Sequence, residues 1–174
     1  PSDNISNIIS EIEKKYDIDY ENLCVIFMRR GDKGRETTVP EYEDYTTKIK
    51  DDLKSGSLPA NIRFMIQSDE TEFFGEMSKQ FENCFEVSDY IRTVPAHKKG
   101  QPDLGGDRNF LFSQKFLAVM NVMAKAKYIY GNTGNCILWT YLYRSLYKSD
   151  YQTGFHQWIG KGHHWKQESK WITY

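Results

Sequence analysis

The sequence lacks an excess of charge of either sign. It has 23 Lys and Arg against 24 Asp and Glu, a formal net charge of −1 and a pI near 6.5. That balance argues against a general attraction to nucleic acid, so any anion site must be local. Long apolar runs are missing too: none approaches the roughly 20 residues that span a bilayer, so no membrane segment is expected. No signal-peptide pattern is visible. A cytoplasmic location is therefore the expectation, although a chain that begins at Pro1 leaves a longer, targeted precursor open. Cysteine is scarce. Cys24, Cys84 and Cys136 are far apart, odd in number, and each within or beside an apolar run. This favours buried free thiols over a disulfide framework or a metal site. There is no internal repeat and no low-complexity stretch.

What is present suits a globular α/β protein. Across 174 residues, 39% are hydrophobic and 15% aromatic, enough for one domain, 1–174, with a real core. Ile5, Ile8, Ile9, Ile12 and Tyr16 recur at helical spacing, so residues 4–16 are predicted as a leading helix within about 1–20. Residues 23–28 are a short apolar run, predicted as a buried strand. A helix is expected from Pro40 to about Ser55, acidic early and basic late, as the helix dipole favours. Ile62–Ile66 is predicted as a second strand, 71–81 as a helix, and Cys84–Val87 as a third strand. Segment 88–110, with its prolines, glycines and charges, is predicted as a long loop. A strongly apolar helix over 111–126, a strand over 127–130, a turn over 131–135 and a helix from Cys136 to about Tyr147 follow. The tail, 148–174, is expected to pack on the domain as an aromatic segment or to contact a further domain.

Strands alternating with helices imply a mostly parallel sheet with helices on both faces, a Rossmann-like three-layer αβα domain. In such open sheets ligands bind at the C-terminal ends of the strands. Three polar loops fall there: Arg29–Arg35, Gln67–Thr71 and Gly131–Asn135. Arg29 and Arg30 suit a phosphate, because a guanidinium fork pairs two oxygens at once. As a loop-edge residue, Arg29 is expected to be exposed and dispensable for folding. Gly31 allows a tight turn and close approach to an anion. Asp32 could orient an arginine or act directly in chemistry. Paired arginines alone would suit a surface salt-bridge cluster equally well; the meeting of three loops favours a ligand. Ser68, Asp69 and Glu70 read as the cap and acidic first turn of the next helix, with contact to a ribose or base not excluded. Gly131–Asn135 before a helix offers N–H donors to an anion. His156, His163 and His164, close to three tryptophans, lack the spacing of a zinc site.

These residues also resemble a family. "VIFMRRGDK" looks like the His-x-Arg-Arg-x-Asp strand and loop of the fucosyltransferase superfamily that includes the α1,2-, α1,6- and protein O-fucosyltransferases, with Phe27 in place of the histidine. "FMIQSDET" is similar to the family's Ser/Thr-Asp turn, and "FLAVMNVMAKAKYIYGNTGNCILWTYLY" to its apolar helix, strand and Asn-Ser/Thr turn. The resemblance spans roughly residues 20–147. It implies one half of a GT-B glycosyltransferase, the half that binds a nucleotide-sugar donor, with GDP-fucose favoured. Transfer to a glycan or protein hydroxyl acceptor would be inverting and metal-independent, with no cofactor and with a missing acceptor-binding domain. Arg29 would grip the diphosphate, with Asp32 the local candidate for a base. Arg30, Gly31, Lys33, Ser68, Asp69, Asn132, Thr133, Gly134 and Asn135 complete the expected donor site. In place of the family's guanine-contacting acid at the start of the apolar helix stand Val119 or its neighbours, with Asp107 a distant substitute. A non-catalytic nucleotide-sugar or glycan-binding module on the same fold is the alternative.

Overall fold

The apolar run Leu23–Met28 is a strand, β1, with every residue buried, as a strand covered on both faces requires. In the computed structural model, which describes residues 2–30, 39–88, 106–132, 134–144, 152–159 and 168–173, β1 lies inside a six-stranded sheet. The chain order is α1 (Asp3–Tyr16), β1, α2 (Tyr42–Ser55), β2 (Arg63–Ser68), α3 (Thr71–Ser78), β3 (Cys84–Phe85), α4 (Gly106–Lys125), β4 (Tyr128–Asn132), α5 (Asn135–Arg144), β5 (Gln152–Ile159) and β6 (Glu168–Thr173), with a 3-10 turn at Tyr20–Asn22. The strands lie in the order β3-β2-β1-β4-β5-β6. All neighbours are parallel except β5 and β6, which are antiparallel. This is a Rossmann-like α/β sheet, and its direction of winding reverses between β1 and β4.

Alternation along the strands sorts side chains onto two faces. Val25, Phe27, Met65 and Ile129 meet α1, α4 and α5 through Ile9, Ile12, Val119, Met123 and Ile137. Cys24, Ile26, Met28, Phe64 and Ile66 meet α2 and α3 through Tyr45, Ile49, Phe73 and Met77. The three-layer αβα architecture follows from those two cores. Gly56 ends α2 with φ +79°, a conformation in which a side chain would be strained. Among the described residues no helix is long and apolar enough to cross a membrane.

Several boundaries move from their expected places. Helix α2 begins at Tyr42 rather than at Pro40, and α3 ends at Ser78 rather than Phe81. β2 runs to Ser68, and β3 has only two residues. The long loop is shorter than expected, because α4 starts at Gly106 and has Asp107 in its first turn. Gly131 and Asn132 belong to β4 instead of a turn, since both continue the sheet. The tail is not merely laid on the domain. Its backbone adds β5 beside β4, then β6 beside β5. His163, His164 and Trp165 lie outside the described residues. None of the three cysteines is in a disulfide, but only Cys24 is fully buried; Cys84 and Cys136 are half-buried.

Candidate nucleotide site at the sheet edge

The end of β1 is held open by its two neighbours. The β1–β4 ladder closes with Phe27 opposite Gly131. Beyond it, the Asn132 side chain continues the pairing. Its Nδ2 donates to the Arg29 carbonyl at 2.8 Å, and its Oδ1 accepts from the Arg29 N–H at 2.8 Å. The Tyr45 hydroxyl, reaching from α2, donates to the Phe27 carbonyl at 2.8 Å and lies 3.2 Å from Asn132 Oδ1. Burial keeps that phenol protonated, well above its ordinary range. Asn132 is buried, so its amide must find partners inside the fold.

On the other side, Asp69 fixes both arginines. Its Oδ2 accepts from Arg29 Nη1 at 2.7 Å, and its Oδ1 accepts from the Arg30 N–H at 2.9 Å. Asp69 is 5% exposed, so its charge requires these donors. The Arg29 side chain retains 22% exposure. Arg29 is thus partly buried rather than the exposed loop-edge residue expected: it pairs with a buried carboxylate at the sheet edge.

Arg30 turns toward α2. Its Nη2 donates to Glu41 at 2.8 Å, its guanidinium lies 5.4 Å from the Tyr42 ring centroid, and its Nε is 3.9 Å from Glu70. The Tyr42 hydroxyl donates to Glu70 at 2.8 Å. Burial pushes the Glu70 carboxyl up, while Tyr42 and Arg30 pull it down. Burial and Glu70 together raise the Tyr42 phenol. Ser68 Oγ accepts from the Glu70 N–H at 3.0 Å and so fixes the turn after β2. Glu70 occupies the cap position of α3 without a side-chain cap bond, so the expected acidic cap is replaced by this turn.

On the β4 side, the Leu138 N–H donates to the Gly134 carbonyl at 3.1 Å, so Gly134 begins the hydrogen bonding of α5. Asn135, the first residue of α5, is exposed there. A Cβ on Gly131 would lie 2.5 Å from Ile137 Cγ1, so glycine is what lets α5 descend onto β4. The structure therefore brings Arg29, Arg30, Ser68, Asp69 and Asn132 into one hydrogen-bonded cluster, with Gly134 and Asn135 following two and three residues after Asn132. Gly31, Asp32, Lys33 and Thr133 lie outside the described residues. Tyr45, Glu41 and Tyr42 belong to the cluster but carried no site signal in the sequence, because helical spacing reads Tyr45 as core and the acids as a helix start.

No family model matches the chain, and no curated protein sequence matches it. Solved structures do. The structure of NodZ α-1,6-fucosyltransferase soaked with GDP-fucose superposes with a TM-score of 0.58 at 12% identity, over 98% of this chain and 48% of that one. The same enzyme co-crystallised with GDP gives 0.54 at 11% identity, over 97% and 46%. The chain has a fucosyltransferase-like fold. It spans about half the length of these structures.

Proposed function

We propose that the chain is the donor-binding half of a glycosyltransferase of GT-B architecture, binding a nucleoside-diphosphate sugar with GDP-fucose favoured. One observation carries the reading: Arg29 stands at the reversal point between β1 and β4, its fork fixed by Asp69 and its backbone by Asn132. In sheets wound this way that crevice is where nucleotides bind. A diphosphate there would meet the Arg29 guanidinium from one strand and, from the next, N–H groups at the start of α5. The likeness in fold to structures solved with GDP-fucose and GDP supports the same ligand class.

The reaction proposed is inverting transfer to a glycan or protein hydroxyl. The leaving diphosphate is stabilised by arginine and a helix N-terminus rather than by a metal or other cofactor. A second, acceptor-binding domain completes the site, and Asp32 is the local candidate for a base. Asp107, in the first turn of α4, is the distant counterpart of the acid that the resemblance expects to read guanine. Phe27 favours a second reading. It is buried in the core and offers no hydrogen-bonding group where the resemblance expects histidine, which suits a binding module without turnover.

A thermal-shift and calorimetric panel of GDP, UDP, CMP and dTDP tests the ligand class. The expected result is a selective response to GDP that Arg29→Ala weakens; indifference to every nucleotide would sink the reading. Assay of the full-length gene product for fucose transfer separates the enzyme from the binding module.

A further inference from the structure

Gln67 is buried to 1% exposure, and its side-chain Nε2 makes no hydrogen bond. It is the buried side-chain nitrogen or oxygen left unpartnered among the described residues. Such a donor destabilises the fold that carries it, and native structures contain few of them. Its position supplies a reason for its retention. Gln67 is the last residue but one of β2 and lies in register with Phe27 of β1. Alternation places it on the face of Met65, the one covered by α1, α4 and α5. Two residues further on, Asp69 holds Arg29.

When a diphosphate occupies the crevice at the C-terminal ends of the strands of such a sheet, the end of the second strand meets the nucleoside. An acidic residue there ordinarily accepts a hydrogen bond from the ribose. Asp69 is committed to Arg29 and to the Arg30 N–H. Phe27, the neighbour on β1, has no polar group to offer. Among the described residues, the unmet Gln67 amide is the buried side-chain donor without a partner. A glutamine side chain has three torsions, so the amide can turn toward a ligand without movement of the strand.

We propose that Gln67 is a specificity-determining residue, whose amide N–H donates to an oxygen acceptor on the nucleoside part of the bound nucleotide. This rests on the nucleotide-sugar reading of the site. Calorimetry with GDP and with inorganic pyrophosphate, on the wild-type chain and on Gln67→Leu and Gln67→Met, tests it. Melting of the free proteins is recorded alongside. Both variants are expected to bind GDP about tenfold more weakly and pyrophosphate equally well. Both are expected to melt at a higher temperature when free, because the unpaired donor is gone. Unchanged GDP affinity, or an equal loss for GDP and pyrophosphate, overturns the assignment. A wild-type chain that binds neither probe overturns the nucleotide-sugar reading itself and the role of Gln67 with it, an outcome distinct from either of those two.

Discussion

Asn132 grips Arg29 through both ends of its side-chain amide, so a residue beyond the end of β1 is held as though it were still in the ladder. Asn132→Ala would leave the Arg29 N–H and carbonyl without these partners and take an acceptor from Tyr45. The expected cost is about 2–4 kcal/mol, from groups that each lose about 1–3. Urea denaturation measures the loss, and hydrogen exchange should show the Arg29 amide opening faster. An unchanged exchange rate would mean that the amide pairing does not hold the site.

Arg29→Ala leaves Asp69 buried with the Arg30 N–H but without its guanidinium partner. Breaking a fully buried pair costs about 3–5 kcal/mol. Because Arg29 is partly exposed, about 2–3 kcal/mol of destabilisation is expected here, together with a tenfold to hundredfold loss of GDP affinity. Arg29→Lys keeps the charge but not the fork, so it should recover more stability than affinity. Denaturation and calorimetry on the same preparations separate the two effects.

The Glu70 carboxyl gives a pH signature. Burial raises it against the opposing effects of the Tyr42 hydroxyl and Arg30. The folded chain therefore binds this proton more tightly than the unfolded chain. That contribution to stability is fully present below the unfolded value of about 4.3 and is lost as pH rises through the folded value. Glu70→Gln removes the titration while keeping an acceptor for Tyr42. The stability of the variant relative to wild type should thus improve as pH rises from about 4.3 through the folded value. A constant difference in denaturation midpoint across that range would contradict the burial of an ionisable group at this turn.

Gly131→Ala should destabilise the chain by about 1–3 kcal/mol through overpacking. The new Cβ would meet Ile137 Cγ1 at 2.5 Å and Cδ1 at 2.7 Å. Replacing Ile137 by Ala costs stability alone, but in the double variant the two closest contacts disappear, leaving the Tyr141 hydroxyl at 3.1 Å. The two losses should therefore be non-additive. Simple addition in a denaturation cycle would show that α5 already moves aside without cost.

Arg144 serves as a control far along α5. It is buried and donates to the carbonyls of Ala126, at 2.5 Å, and Lys127, at 3.1 Å, where α4 gives way to β4. Arg144→Met leaves those carbonyls unsatisfied, and a loss of about 2–4 kcal/mol is expected. GDP affinity of the folded fraction should not change, in contrast to Arg29→Ala. A parallel loss of affinity would tie the far end of α5 to the site.

Much of the core was legible because the apolar runs are short and cleanly bounded. Leu23–Met28 was fixed to the residue, since Tyr20–Asn22 and the two arginines flank it with polar groups. The sequence places the start of the helix after the long loop too late, because Asp107, Arg108 and Asn109 look like loop, whereas α4 extends back to Gly106. Composition puts Asn132 in a turn, although its polar side chain substitutes for a backbone rung. The expectation of an aromatic tail leaves out strands β5 and β6, because its histidines and tryptophans suit a site as readily as a sheet. Two runs rich in aromatic and β-branched residues around Gly160 to Gly162 were the available hairpin signal. Gln67 could not be singled out at all, since an unmet hydrogen bond has no signature in sequence.

The bond between the Arg29 N–H and Asn132 joins residues 103 positions apart. Local helix formation cannot bring them together, and a chain segment of that length must be closed before the bond contributes anything. The backbone of Arg29 is therefore set only after β4 has docked beside β1. Partly folded chains that have gathered just β1, β2 and β3 would have the Asp69 contact but no seat for the α5 end of a diphosphate. During refolding, recovery of nucleotide binding should lag behind recovery of helical signal. That makes ligand capture a clock for the last long-range step of assembly.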